Sequence, residues 1–161
     1  MKGLIVSNAT PVIAFSRINR LDLFQEIAGE IMIPQEVSRE LYEHERADVP
    51  ALKHCQWIKV KKVKAPADVE LLLPSLDKGE AEVIILSKEL GAGLVVIDEL
   101  TARKVAIMMG LPIIGIVGLL LYAKKKALIK EVKPLFDEMI RQGIRYKDSF
   151  YRTVLKSINE L

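Results

Sequence analysis

Short apolar runs alternate with longer helical stretches along this chain, and the alternation leaves few folds open to it. The runs are Leu4–Val6, Ile31–Ile33, Trp57–Val60, Leu94–Ile97 and Pro112–Ile114. Leu94–Ile97 is apolar throughout, as strands buried on both faces of a parallel sheet are. Lys59, Lys61 and Lys62 mark Trp57–Val60 as an edge strand. Helix start and stop signals fall between the runs. Thr10-Pro11 opens one helix, Pro34 another, and Pro66 a short one through Leu73. Gly79–Leu90 is expected as a long amphipathic helix closed by Gly91 and Gly93. Thr101–Met109, Gly115–Lys126, Pro134–Gln142 and Ser149–Ile158 complete the set. Strands that alternate with helices imply parallel βαβ units. The expected fold is α/β, a single three-layer α/β/α domain over residues 1–161 with a central parallel sheet and a helical C-terminal end.

Composition narrows the function classes. The 161 residues are 50% hydrophobic and 28% charged, which excludes a disordered tail or a collagen-like chain. A single cysteine, Cys55, excludes an intrachain disulfide and a Cys-rich zinc site, and is expected as a partly buried thiol. The apolar run ending at Ser7 is too short for a signal segment or a membrane span. Ile113–Ala123 is also too short and is interrupted by Gly115 and Gly118. A cytoplasmic protein without membrane contact is expected. Residues 121–161 hold 10 Lys and Arg against 5 Asp and Glu, whereas residues 1–120 hold 14 against 16. A basic C-terminal quarter on a mildly acidic body suits a polyanion, although solvated helix faces would give the same count.

In an open parallel sheet, ligands bind beyond the carboxyl ends of the strands. Ser7-Asn8-Ala9-Thr10 and Asp98-Glu99 fall there. Each has a plain structural use, because Asn8, Thr10 and Asp98 could cap the helices that follow them. Glu36 and Glu40 lie one turn apart after Pro34, and Glu80 opens a helix that Asp77 could cap. No glycine-rich phosphate fingerprint is present. His44 and His54 are expected at the surface. Carboxylates without His or Cys partners suit a hard cation, Mg²⁺ or Mn²⁺.

Ile5-Val6-Ser7-Asn8-Ala9-Thr10-Pro11-Val12-Ile13 resembles the opening strand and helix of a PIN domain, of a prokaryotic branch of predicted nucleic-acid-binding proteins. The likeness continues through Leu21-Asp22-Leu23-Phe24 and Ile33-Pro34-Gln35-Glu36-Val37-Ser38-Arg39-Glu40-Leu41. It takes in Asp77-Lys78-Gly79-Glu80-Ala81-Glu82-Val83-Ile84 and Val96-Ile97-Asp98-Glu99-Leu100-Thr101-Ala102-Arg103. Gly115-Ile116-Val117-Gly118-Leu119-Leu120 and Ala123-Lys124 end it. The resemblance implies a metal-dependent ribonuclease, as in toxins of VapBC-type toxin–antitoxin pairs. It carries the acidic cluster onto Asn8, Glu40, Glu80 and Asp98. Asn8 departs from the usual Asp and offers a cation a neutral carbonyl oxygen only. The lost charge should weaken metal binding, and Glu99 could partly compensate.

The mechanism so implied has Glu40, Glu80, Asp98 and Asn8 holding Mg²⁺ or Mn²⁺, and an activated water attacking the RNA phosphorus. Thr10 could orient that water or a phosphate oxygen, or cap its helix. Arg103 could meet a phosphate, or steady the acids by ion pairing. Gly115 and Gly118 could expose amides to phosphate, although close helix–sheet packing is the simpler use. Lys124, Lys125 and Lys126 could belong to a phosphate track or to a solvated helix end. Apolar side chains at Leu119–Tyr122 and near Phe136 and Met139 suggest a homodimer. The leading expectation is a metal-dependent endoribonuclease, the toxin of a pair with an antitoxin protein. The alternatives are a degenerate domain that binds RNA or a partner protein without cutting, favoured by Asn8, and a module that sequesters an antitoxin or a regulator.

Overall fold

The computed structural model describes residue 1, residues 3–43 with the backbone of His44, and residues 54–161. The chain runs β1 (Ile5–Ser7), α1 (Ala9–Arg17), α2 (Leu21–Ala28), β2 (Ile31–Pro34) and α3 (Gln35–His44). It continues with β3 (Ile58–Lys61), α4 (Pro66–Leu72), α5 (Lys78–Leu90), β4 (Leu94–Val96) and α6 (Leu100–Met108). It ends with β5 (Ile113–Ile114), α7 (Ile116–Lys125), α8 (Lys133–Arg141) and α9 (Asp148–Ser157). The five strands form one parallel sheet in the order β3-β2-β1-β4-β5, flanked by helices in three α/β/α layers. The expected fold class is what forms.

Strand order places the site. From β1 the chain steps outward to β2 and β3, then crosses back so that β4 pairs with β1 on its other side. Ile5, Val6 and Ser7 pair with Leu94, Val95 and Val96. The β1/β4 boundary is therefore where the winding reverses, the place at which such sheets leave a crevice beyond their carboxyl ends. β3 is an edge strand, and Lys59, Val60 and Lys61 are exposed on it.

Every predicted element forms, each boundary within one residue of its expected place. One helix has no counterpart in the prediction. The chain turns at Asn19 with φ +56°, and α2 starts at once behind Arg20, which makes no capping bond. With no cap residue to announce it, α2 is visible only from Leu23, Phe24 and Ile27, which it buries. Phe24 packs 5.1 Å from Phe15 and 5.8 Å from Trp57, ring centre to ring centre.

Helix α5 is not amphipathic as expected. Every residue from Gly79 to Ser87 is buried, and only the ends of the helix, Lys78 and Lys88–Leu90, reach the surface. The helix is enclosed by α3, α4, α6 and strands β1, β2 and β4, which is why Val83, Ile84, Ile85 and Leu86 all lie inside. Gly91 ends it in the left-handed conformation (φ +60°), where a side chain would be strained.

The apolar residues expected to mark a dimer face are spent on the chain's own core. Leu119, Leu120, Phe136 and Met139 are all buried within it. Ile140 on α8 is exposed, and the most exposed large apolar side chains include Leu100, Ile107 and Met108 on α6. Cys55 is buried, and burial pushes its thiol pKa up. His54 is exposed, and the side chain of His44 lies outside the described residues. No helix among the described residues is long and apolar enough to cross a membrane.

Candidate active site

Asn8 follows β1 directly and is buried. Its backbone N–H donates to the Val96 carbonyl (3.0 Å), and its Oδ1 accepts the Ala9 N–H (2.9 Å). Asn8 is thus the cap of α1 and sits at the sheet reversal. Thr10 is not the cap: it lies exposed in the first turn of α1, beside Asn8.

Helix α5 runs back against the strands, so its N-terminus reaches the same sheet edge. Asp77 Oδ1 accepts the Glu80 N–H (2.8 Å), and Glu80 Oε1 accepts the Asp77 N–H (3.1 Å), a reciprocal capping box. Glu40 comes to this helix end from α3. A Cβ at position 79 would collide with Glu40 Oε1 and lie 3.5 Å from Asp77 Oδ1, so Gly79 is what admits the Glu40 carboxylate. Glu36, one turn earlier, is drawn away into an ion pair with Arg39, which lowers its pKa. The Glu36 N–H donates to the buried Glu82 Oε1 (3.2 Å), tying α3 to α5.

These acids lack positive charge. Burial pushes Glu40 up to about 7, with the Asp77 and Glu36 charges adding to the rise and Arg39 opposing it. Burial likewise pushes Glu80 up to about 7, the Asp77 amide opposing and the Asp77 and Glu99 charges reinforcing. Glu99 goes the other way. Burial would raise it, but the Ala102 and Thr101 amides and a hydrogen bond with Glu80 hold it below the usual range.

Asp98 behaves differently from its neighbours. Glu99, not Asp98, caps α6, with Oε2 accepting the Ala102 N–H (2.7 Å). Asp98 reaches across to α7 instead. Its Oδ1 accepts the Ile116 N–H (3.0 Å) and its Oδ2 the Tyr146 hydroxyl (3.3 Å). Burial, then the Asp98 charge, holds the Tyr146 phenol well above its usual pKa, so it remains a donor. Arg103 donates to the Ile97 carbonyl (3.0 Å) and forms no ion pair among the described residues. The expected ion pair with the acids is thus not what this bond makes: it ties α6 to the end of β4 through a backbone carbonyl. A Cβ at Gly115 would lie 2.7 Å from Arg103 Nη1 and 2.8 Å from Asp98 Oδ1. A Cβ at Gly118 would lie 2.6 Å from Ile114 Cγ1. Both glycines therefore serve close packing, and Asp98 already takes the Ile116 amide that an anion would need. Lys124 is no part of a phosphate track, because it bonds Glu160 (2.7 Å) and the Ile158 carbonyl (3.2 Å).

Glu40 and Glu80 thus lie beside Asp77, Glu99 reaches Glu80, and Asn8 and Asp98 lie along the same edge. The sequence had assigned Asp77 only a capping use and had not singled out Tyr146. A D-x-x-E spacing was there to be read for the first; nothing local marks the second. Hard oxygen donors short of positive charge match a divalent cation in kind. Among the described residues no three His, Cys, Asp or Glu side chains stand as a ready ligand set.

A parallel sheet with carboxylates gathered beyond its reversal point defines an α/β protein with an oxygen-donor site. The chain belongs to the PIN domain family, whose model matches residues 4–160. That membership places it among nuclease and nucleic-acid-binding domains. No curated protein matches it.

Proposed function

We propose that the protein is a metal-dependent endoribonuclease that hydrolyses RNA phosphodiesters, acting in the cytoplasm as the toxin of a toxin–antitoxin pair. The observation that carries this reading is the approach of the Glu40 carboxylate from α3 to the end of α5 that holds Asp77 and Glu80, where burial raises Glu40 and Glu80 to about 7. Groups in that state gain most from a nearby cation.

Glu40, Glu80 and Asp98 would hold Mg²⁺ or Mn²⁺, with Asn8 as a neutral ligand and Glu99 adding charge. Such an ion supplies charge that polarises a phosphodiester and acidifies a water. Asp98 stays able to contribute, since each of its oxygens accepts one hydrogen bond and keeps a second lone pair. The Glu40 and Glu80 carboxyls give up their protons as the site is charged. Asn8 holds the first turn of α1 against β4, and the exposed Thr10 of that turn would orient a water or a phosphate oxygen. Arg103 fixes the end of β4 and so the start of the Asp98-Glu99 turn. A homodimer would use the exposed α6 face of Leu100, Ile107 and Met108.

A second reading is an RNA-binding domain that does not cut. Asn8 in place of an acid, and an Asp98 with both oxygens engaged, favour it. Cleavage of a mixed single-stranded RNA pool with Mn²⁺, Mg²⁺ or EDTA separates the two. The nuclease reading expects metal-dependent cutting by wild type that Asp98→Asn abolishes. Binding without cutting by wild type, with activity gained in Asn8→Asp, would establish the second reading.

A further inference from the structure

A groove of about 430 Å³ opens between α6 and α9 over the outer edge strand β5. Its inner end holds Asp98 and Arg103, and its walls include Leu100, Ile114, Tyr146 and Phe150. It is therefore continuous with the candidate site. Its outer wall is aromatic. Phe150 stacks on Tyr146 with ring centres 5.7 Å apart and planes 30° apart. Phe15, Phe24 and Phe136 are fully buried, whereas Phe150 is 43% exposed. Tyr146 is in turn packed edge-on against Phe136 (5.1 Å), so the stack is anchored in the core. Arg145 and Lys147, on either side of Tyr146 in the chain, are exposed. This is the part of the sequence in which basic residues outnumber acidic ones two to one.

An exposed ring backed by a second ring, with cations at its flank, is how proteins seat the bases of single strands. A paired base offers no open face to such a ring, whereas an unpaired base can splay out onto it. We propose that this groove seats an unpaired base of single-stranded RNA, stacked on Phe150, beside the phosphodiester presented to the acidic edge. Tyr146 backs the stacking ring and, through its hydroxyl, links it to Asp98. The inference rests on the nucleic-acid reading above and adds to it a base-stacking subsite with Phe150 as its platform.

The test is equilibrium binding of a fluorescein-labelled uridine octamer in EDTA at low salt, followed by fluorescence anisotropy. Phe150→Ala and Phe150→Leu should each weaken binding about tenfold, as loss of one stacking platform does. Phe150→Leu keeps apolar packing for α9, so it decides the matter should Phe150→Ala melt early. Phe150→Trp should bind as wild type does, with its indole fluorescence quenched by the octamer. An abasic ribose-phosphate octamer should be insensitive to all three changes. Wild-type affinity in Phe150→Leu, equal affinity of wild type for the abasic strand, or loss of self-association instead of RNA binding would overturn the proposal. Because EDTA prevents cutting, this result stands apart from the nuclease test. Normal binding by Phe150→Leu beside metal-dependent cleavage removes the base site alone. Phe150-dependent binding without cleavage removes the nuclease alone.

Discussion

The two halves of the sheet edge carry the same kind of side chain among different partners. At the α5 end, Glu40, Asp77, Glu80 and Glu99 crowd together, and two of them hold protons near neutrality. At the α7 end, Asp98 has an amide on one oxygen and a phenol on the other. Asp98 is thus already held by two donors of the protein. In the first half, against burial, the Ala102 and Thr101 amides and a bond with Glu80 hold Glu99 below its usual range, while burial raises Glu40 and Glu80 to about 7. The crowded half has more to gain from a cation, so metal dependence should be read there first. The α7 half adds Asp98 to the site and also holds its shape.

The largest contrast should come from cleavage kinetics. Glu80→Gln should lower metal-dependent cleavage at least about 100-fold, beyond the ~10–100-fold typical of losing an outer-shell partner. Tyr146→Phe, in the other half, should stay within that smaller range. Equal losses would erase the distinction between the halves.

Two glycine substitutions probe the same contrast through packing. Gly79→Ala expels the Glu40 carboxylate from the end of α5, and Mn²⁺ affinity should fall about tenfold or more. Gly115→Ala forces Arg103 and Asp98 apart from their shared space, costing about 1–3 kcal/mol of stability, as overpacking does. It should lower Mn²⁺ affinity less than Gly79→Ala does, because Asp98 keeps its donors on α7 and Tyr146. Calorimetric titration and chemical denaturation of each variant give the two readouts.

The pH dependence of stability follows from the raised pKa values. Glu40 and Glu80 titrate higher folded, near 7, than unfolded, near 4.5. Their favourable contribution is complete below about pH 4.5 and is lost as pH rises through about 7. Wild-type Tm should therefore decline from pH 5 to pH 8 more steeply than that of a Glu40→Gln, Glu80→Gln variant. A divalent cation should restore Tm at pH 8 and do little at pH 5.

The smallest effect belongs to the α7 half. Tyr146→Phe removes one hydrogen bond from Asp98, worth about 1 kcal/mol, and urea denaturation should show a loss of that size.

The halves also differ in how far the sequence disclosed them. Asn8 as a cap, the Asp77 cap and the parallel strands all follow from local signals, because caps and periodicity are written within a few residues. Asp98-Glu99 shows the limit. An acid before a helix predicts its cap, but with two acids in a row only the second does so. Which helix the first then serves depends on the β5–α7 turn lying alongside. Tyr146 lies 48 residues beyond Asp98, in an irregular segment, and its contact exists only after α9 has docked. Helix α5 misled for a related reason. Glu80 and Glu82 look like a solvated face, yet both are buried, one by its capping box and the other by the α3 amide it accepts.

The most direct measurement is Mn²⁺ binding by calorimetry at pH 6.5 in buffers of different ionisation enthalpy, for wild type and Glu80→Gln. The α5 half as the cation's seat predicts binding with proton release in wild type, and weaker binding with less release in Glu80→Gln. Binding of equal strength and equal proton release in the two proteins, or no binding by wild type, would contradict it.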